Sequence, residues 1–228
     1  MNVAIIAAAG QGTRMGGKRA KQFLELAGTP IIIHTLKAFD ACEAIQEIIL
    51  VLPEADISDF SALAQSFSIG KLRATVPGGM TRASSVLRGL QALPRSATDI
   101  VAVHDGSRPL VTVAEITETV RAAERTGAAI LAAPLVDTVK EVRDELVVRT
   151  IPRDRLRRAL TPQCFRYEIL RDAYEQADEL DPTLTDESSL VERLGVPVAV
   201  VEGSLRNIKI TRPEDLVIAE GLLKRSER

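Results

Sequence analysis

MNVAIIAAAGQGTRMGGKRAKQF, residues 1–23, joins an apolar run to a basic loop rich in glycine. The run from Val3 to Ala8 reads as a buried strand. The loop holds Gly10, Gly12, Gly16 and Gly17 together with Arg14, Lys18, Arg19 and Lys21. Glycines let backbone N–H groups approach oxyanions closely, and the cations add charge that a backbone lacks, so the pair suggests a phosphate cradle. The plainer alternative is a glycine-rich turn with a solvated basic face. The dinucleotide fingerprint fails because its third glycine position is Met15. Gly12, Gly17 and Lys18 match the ATP/GTP loop spacing, but Arg19 replaces the hydroxyl residue that would hold magnesium. The following KRAKQFLELAGTP, with Gly28 and Pro30, is also a poor helix for phosphates to sit on.

Outward from this loop, strands and helices alternate. Periodicity predicts helices over Ile32–Phe39, Ile57–Phe67, Arg82–Leu93 and Val113–Thr126, and strands over Glu47–Leu52, Arg73–Val76, Asp99–His104 and Ala128–Ala133. Right-handed βαβ units follow, and with them an α/β fold: a Rossmann-like, mostly parallel sheet flanked by helices. In such sheets ligands gather beyond the carboxyl ends of strands. The 228 residues suit a single domain spanning 1–228, with no internal repeat or low-complexity linker.

A net charge of −2 and 3% aromatic residues argue against a nucleic-acid partner, which favours a small-molecule substrate. Cys42 and Cys164 have no metal-ligand spacing and read as packed thiols in a reducing compartment. The N-terminus has no basic leader and its apolar run is too short to span a bilayer, so the expectation is a cytoplasmic protein with no membrane partner.

Two further strand-end loops carry chemistry. PGGMTRASSVLRGL, residues 77–90, combines Gly78-Gly79 with Thr81, Ser84 and Ser85. Backbone groups at a double glycine can read a base edge, with Ser85 adding a contact; the alternative is a turn followed by a helix cap. The run DIVAVHDGSRP delivers Asp105 at a strand end, then Gly106 and Arg108. A carboxylate there can accept ribose hydroxyls or help hold magnesium, and an arginine three residues on can meet a phosphate. His104 reads as a strand-end histidine oriented by its neighbours, and His34 as packing or surface. No G-x-S-x-G elbow supports a hydrolase.

From Pro134 the rhythm changes. Thr138–Val142 and Leu146–Ile151 alternate as β-prone runs around Arg143-Asp144-Glu145, predicting a protruding hairpin arm within residues 134–153. A two-stranded ribbon must bury its apolar face, and a second copy of the chain is the economical cover; a hairpin folded against its own sheet edge is the alternative. Thr185-Asp186-Glu187 reads as a capping box opening a helix through Leu194. Lys209 falls on a predicted short strand between Ile208 and Ile210, pointing opposite to them, before a helix started by Pro213.

The elements AAAGQGTRMG, Lys21-Gln22-Phe23, Gly28-Thr29-Pro30, VHDGSRP, Thr161-Pro162-Gln163, Thr185-Asp186-Glu187 and NIKITRP occur in order along the whole chain. The pattern resembles nucleotidyltransferases that join a sugar or polyol phosphate to a nucleotide, and more closely the 2-C-methyl-D-erythritol 4-phosphate cytidylyltransferases. The resemblance implies a homodimer whose substrates are CTP and a polyol phosphate, with Mg2+ bridging the CTP phosphates. It implies catalytic roles for Arg14 and Lys21. Nucleotide binding falls to Ala8, Ala9, Gly10, Gly12, Gly78, Gly79, Ser85, Asp105 and Gly106. Substrate binding falls to Arg108, Thr138, Arg153, Thr185 and Lys209, with Thr138 and Arg153 reaching the neighbouring subunit's site. Met80 stands where relatives carry an acidic residue. Ribitol 5-phosphate cytidylyltransferases share much of the pattern, and a nucleotide-binding regulator without turnover is the alternative outside enzymes. Retention of both Arg14 and Lys21 argues against the regulator.

Overall fold

The structure is a computed structural model, and it describes residues 1–10, 21–94, 97–178, 181 and 184–224. Arg14, Gly12 and the rest of 11–20 lie outside the described residues, as does the side chain of Lys21. The strands are β1 Val3–Ala7, β2 Glu25–Leu26, β3 Thr29–Pro30, β4 Glu47–Leu52, β5 Leu72–Pro77, β6 Ile100–Asp105, β7 Ala128–Pro134, β8 Val139–Arg143, β9 Leu146–Ile151, β10 Arg157–Arg166 and β11 Ala199–Glu202. The helices are α1 Ile31–Asp40, α2 Ile57–Phe67, α3 Arg82–Gln91, α4 Val113–Thr126, α5 Tyr167–Glu175, α6 Glu187–Arg193 and α7 Pro213–Lys224.

Seven strands form the main sheet in the order β11-β7-β10-β6-β1-β4-β5. β1 runs parallel to both neighbours, pairing Ile5 with Ile49 on one side and Val103 on the other. Side-chain alternation sends Val3 and Ile5 to one face, Ala4 and Ile6 to the other, and all four are fully buried. One face packs on Ile32, Leu36, Phe39 and Phe60 of α1 and α2, with Ile116 and Val120 of α4. The other meets Val86 and Leu90 of α3, Leu170 and Tyr174 of α5, and Leu190 of α6. Burial on both faces is why the sequence of β1 reads as an unbroken apolar run. Truncating such a residue, Ile5→Ala for instance, costs about 2–5 kcal/mol.

The expected parallel rhythm is interrupted once. β10 enters antiparallel between β6 and β7, pairing Cys164 with Ala102 and with Ala129. The sequence reading placed no strand there, and it missed α5 and β11 as well. It also put Lys209 on a strand. Residues 207–210 instead run as irregular chain, because the segment has no neighbouring strand; it is held by the Ile210 N–H donating to the Ser107 carbonyl at 2.8 Å. Asp186, rather than Thr185, caps α6, its side chain accepting from the Ser189 N–H at 3.1 Å. Cys42 and Cys164 are buried and unbridged, as packed thiols should be.

The hairpin is present. β8 and β9 form their own two-stranded sheet, joined through Asp144 and Glu145 at φ +49° and +64°. Such a turn matches the twist of the strands it joins. Val142, Leu146, Val147 and Val148 are all more than half exposed in the single chain.

Candidate active site

The carboxyl ends of β6, β1, β4 and β5 follow one another along the sheet, and the loops leaving β1, β5 and β6 meet there. β1 delivers Ala8, whose N–H donates to the Val51 carbonyl at 2.9 Å; Ala9 and the exposed Gly10 follow. β5 delivers the double glycine. A Cβ at Gly78 would lie 2.1 Å from that of Ala9, so the turn sits directly against the loop leaving β1, and only glycine permits that approach. At Gly106 a Cβ would meet that of Ala8 at 2.7 Å, which draws the third loop onto the first.

The turn at Gly78 and Gly79 is braced from within. The Gly78 N–H donates to Leu52 at 2.7 Å, and Arg88 Nη1 donates to the Gly78 carbonyl at 2.7 Å. Ser85 Oγ accepts from the Gly79 N–H at 3.0 Å and donates to the Thr81 carbonyl at 2.8 Å. Thr81 and Ser84 close a capping box at the start of α3. Most of the polar groups expected to face a base are therefore committed to the turn. Among the described residues, the Gly79 carbonyl has only a 3.5 Å contact from Ser85, and Met80 follows with its side chain 94% exposed.

Asp105 ends β6 at the centre of a charged cluster. Arg82 Nε lies 3.0 Å from Oδ1; Lys209 Nζ at 2.9 Å and Arg108 Nε at 3.4 Å share Oδ2. Burial alone would raise the Asp105 pKa, but Arg82, Lys209 and Arg108 outweigh it and hold the carboxyl well below the usual range. Sequence alternation correctly aimed Lys209 away from the buried Ile210, although the segment is not a strand. Arg82 continues to Glu187, its Nη1 at 2.8 Å from Oε1. Burial would lower the Arg82 pKa, and Glu187 and Asp105 more than reverse this.

A second set of bonds fixes the strand end. The Asp105 N–H donates to Thr161 Oγ1 at 3.1 Å, and that hydroxyl lies 3.0 Å from His104 Nδ1. His104 Nε2 lies 3.2 Å from the Arg108 carbonyl, an obligatory acceptor, so Nε2 carries the proton and Nδ1 accepts from Thr161. Burial drives the His104 pKa down to about 3, leaving a neutral ring that organises rather than reacts. Arg108 Nη1 donates to the Asn207 carbonyl at 2.9 Å, and Asn207 Nδ2 to the Thr161 carbonyl at 3.0 Å. Arg108 and Lys209, about 100 residues apart in sequence, thereby share one scaffold.

The structure thus brings Ala8, Ala9, Gly78, Gly79, Ser85, Asp105, Gly106, Arg108 and Lys209 to one edge of the sheet. Thr185 is exposed in the turn before α6. Thr138 and Arg153 are also exposed, at the root of the arm, where Arg153 Nη1 donates to the Val136 carbonyl; among the described residues neither bonds to the Asp105 cluster. Sequence reasoning missed Glu187 as part of the cluster, since its motif looked like a helix start. Thr161 was quoted as part of a motif but given no role. A signal existed for both: each sits inside a motif that the sequence displays, Thr161-Pro162-Gln163 and Thr185-Asp186-Glu187.

Sheet, glycine turn and cation-ringed carboxylate together define a class, the α/β nucleotidyltransferases. The chain belongs, more narrowly, to the family of 2-C-methyl-D-erythritol 4-phosphate cytidylyltransferases, whose family model matches residues 2–225. It is 46% identical to the enzyme of that name from Pelotomaculum thermopropionicum over 223 residues, covering 97% of this chain and 93% of the relative. Identity to the Halalkalibacterium halodurans enzyme is 43% over 224 residues, covering 98% and 97%. Among solved structures, it resembles 4-diphosphocytidyl-2C-methyl-D-erythritol synthase from Anaerococcus prevotii, with a TM-score of 0.86 and 33% identity over 98% of this chain and 96% of that one. The 2-C-methyl-D-erythritol 4-phosphate cytidylyltransferase from Thermus thermophilus gives a TM-score of 0.77 and 33% identity over 97% and 98%.

Proposed function

We propose that this protein transfers the cytidylyl group of CTP to 2-C-methyl-D-erythritol 4-phosphate, releasing pyrophosphate and forming 4-diphosphocytidyl-2-C-methyl-D-erythritol, an isoprenoid precursor. Beside family membership, one observation carries the reading: Arg82, Arg108 and Lys209 converge on Asp105 where three parallel strands end. A surplus of fixed cations at that edge suits two phosphorylated substrates that must be brought together against their own repulsion.

A phosphate monoester oxygen attacks the α-phosphorus in line and pyrophosphate leaves from the opposite side, with no covalent enzyme intermediate. The monoester is nucleophilic enough to need no strong base, which agrees with a neutral, buried His104 at the strand end. Positioning and charge neutralisation remain for the protein to supply. Arg14 and Lys21 are assigned to charge developing at phosphorus. Lys209, Arg108 and Thr185 are assigned to the acceptor, joined by Thr138 and Arg153 of a second subunit. Asp105 and Gly106 face the ribose, and Ala8, Ala9, Gly10 and Gly12 the nucleotide. For the base, the Gly79 carbonyl is an acceptor suited to the cytosine amino group, whereas the carbonyl of uracil would meet it as like against like.

Magnesium would enter in this reading with CTP and would supply charge neutralisation to the phosphates. The donor set agrees with a metal carried by phosphate oxygens: no group of three potential ligands occurs among the described residues, and both Asp105 oxygens already face cations. Dimerisation through the arm rests on the exposed valines and Leu146 of β8 and β9, an apolar surface that an isolated ribbon cannot keep in water. A cytoplasmic location is inferred from the two unbridged cysteines, and no helix among the described residues is long and apolar enough to cross a membrane.

Incubation with CTP, magnesium and 2-C-methyl-D-erythritol 4-phosphate or ribitol 5-phosphate, following pyrophosphate, tests the reading. Rapid release with the methylerythritol substrate alone is expected. Preference for ribitol phosphate would reassign the acceptor, and nucleotide binding without release with either would make the protein a regulator.

A further inference from the structure

Glu187 is 1% exposed at the first residue of α6. A carboxylate so enclosed is costly unless it is paired and hydrogen-bonded. It is fully engaged: Arg82 Nη1 lies 2.8 Å from Oε1 and 2.9 Å from Oε2, and the Tyr174 hydroxyl donates to Oε1 at 3.1 Å. Arg82 spends a different nitrogen, Nε, on Asp105 Oδ1 at 3.0 Å. One guanidinium therefore bridges carboxylates from α6 and β6. Its planar fork is rigid, so clamping Nη1 fixes the direction of Nε–H, and that direction fixes the rotation of the Asp105 carboxylate. The other oxygen of Asp105 is thereby turned to Lys209 at 2.9 Å. Glu187 also offsets the charge of Arg82, leaving the cluster's surplus positive charge with Arg108 and Lys209.

We propose that Glu187 is a positioning residue for the transfer reaction, clamping Arg82 so that Arg82 orients Asp105 and Asp105 stations Lys209. The inference rests on the reading that Asp105 and Lys209 serve the substrates. Glu187 itself touches no reacting atom and acts through a relay that links α5, α6, α3 and β6. A lysine at position 82 keeps the charge but loses the fork, since a single ammonium has no fixed geometry spanning both carboxylates.

The test compares kcat/KM for pyrophosphate release in wild type, Glu187→Gln, Arg82→Lys and the double variant, with folding verified by thermal melts. Each single change is expected to cost about tenfold or more, as small misplacements at a reacting centre do. The double variant is expected to fall no more than about threefold below Arg82→Lys, because both changes break the same relay. Generic loosening of α6 predicts instead that the two losses multiply, and that result overturns the proposal. So does a folded Glu187→Gln protein with wild-type kcat/KM. Should Glu187→Gln fail to fold, Arg82→Lys decides alone, and wild-type turnover in it overturns the relay. A crystal structure of Glu187→Gln reads the relay without turnover: Arg82 Nε displaced from Asp105 supports it, and an unchanged contact rejects it. Wild-type protein inactive on both substrates would instead remove the functional reading, leaving the crystal structure to judge the relay.

Discussion

Arg14 and Lys21 are the two cations assigned to the charge that builds at phosphorus, and their replacement by alanine should separate chemistry from binding. Losing one such donor typically costs about 3–4 kcal/mol of barrier, so turnover should fall several-hundredfold in each variant while CTP affinity changes far less. Near-normal turnover in both would strip them of that role. His104 supports a prediction of another kind. Its native pKa of about 3 lies below the ordinary 6.5, so the folded protein refuses a proton that the unfolded chain accepts. The associated stability is intact above about pH 6.5 and is lost progressively as pH falls toward 3. Asp105, also depressed in the fold, loses its contribution only below the ordinary carboxylate range and leaves the window from 6.5 to 4 to the histidine. His104→Asn should therefore lower Tm overall yet flatten its decline between pH 6.5 and 4, and an unaltered slope would mean the native ring protonates freely.

Among the elements, α6 is short and its start carries most of its definition. Asp186 accepts from the Ser189 N–H at 3.1 Å, the Ser188 hydroxyl at 3.1 Å and Gln163 Nε2 at 2.8 Å. Asp186→Ala should cost about 1–2 kcal/mol in denaturant titration, the range of a lost helix cap, and a loss within error of zero would show the cap to be dispensable. Elements buried on both faces were legible in the sequence, since VAIIA and EIILVL are uninterrupted and bounded by turn residues. The hairpin was legible too, from its alternation around a polar turn. β10 was not, because Arg157, Arg158, Pro162 and Gln163 dilute the apolar signal of a strand whose first three residues are exposed. β11 is four residues long with Val200 exposed, too slight a pattern to register. The segment NIKI misled in the opposite direction: it alternates like a strand but has no partner to pair with. Within the site, Asp105, Arg108 and Lys209 could be named from strand-end position and motif. The bridge from Arg82 to Glu187 could not, because 105 residues separate its ends and only the fold, which sets α3 and α6 over the same face of the sheet, closes that distance.

For the whole molecule, the trans assignment of Thr138 and Arg153 makes activity a property of a pair of chains. Mixing inactive Lys21→Ala protein with inactive Arg153→Ala protein should restore turnover to roughly a quarter of wild-type sites, half the dimers being mixed and each holding one intact site. A mixture that stays inactive although subunit exchange is verified would return the arm to its own subunit. The arm leaves the sheet at Pro134 of β7 and rejoins it at Arg157 of β10, and those two residues face each other as the closing rung of the antiparallel pair. Whatever happens between them is an excursion that begins and ends at the same place. Its length and sequence are free to drift without disturbing the register of the seven strands, much as a handle can be reshaped without altering the vessel. Under the proposed trans arrangement, change in subunit contact and in acceptor binding would thus fall on a segment insulated from the strand-end loops.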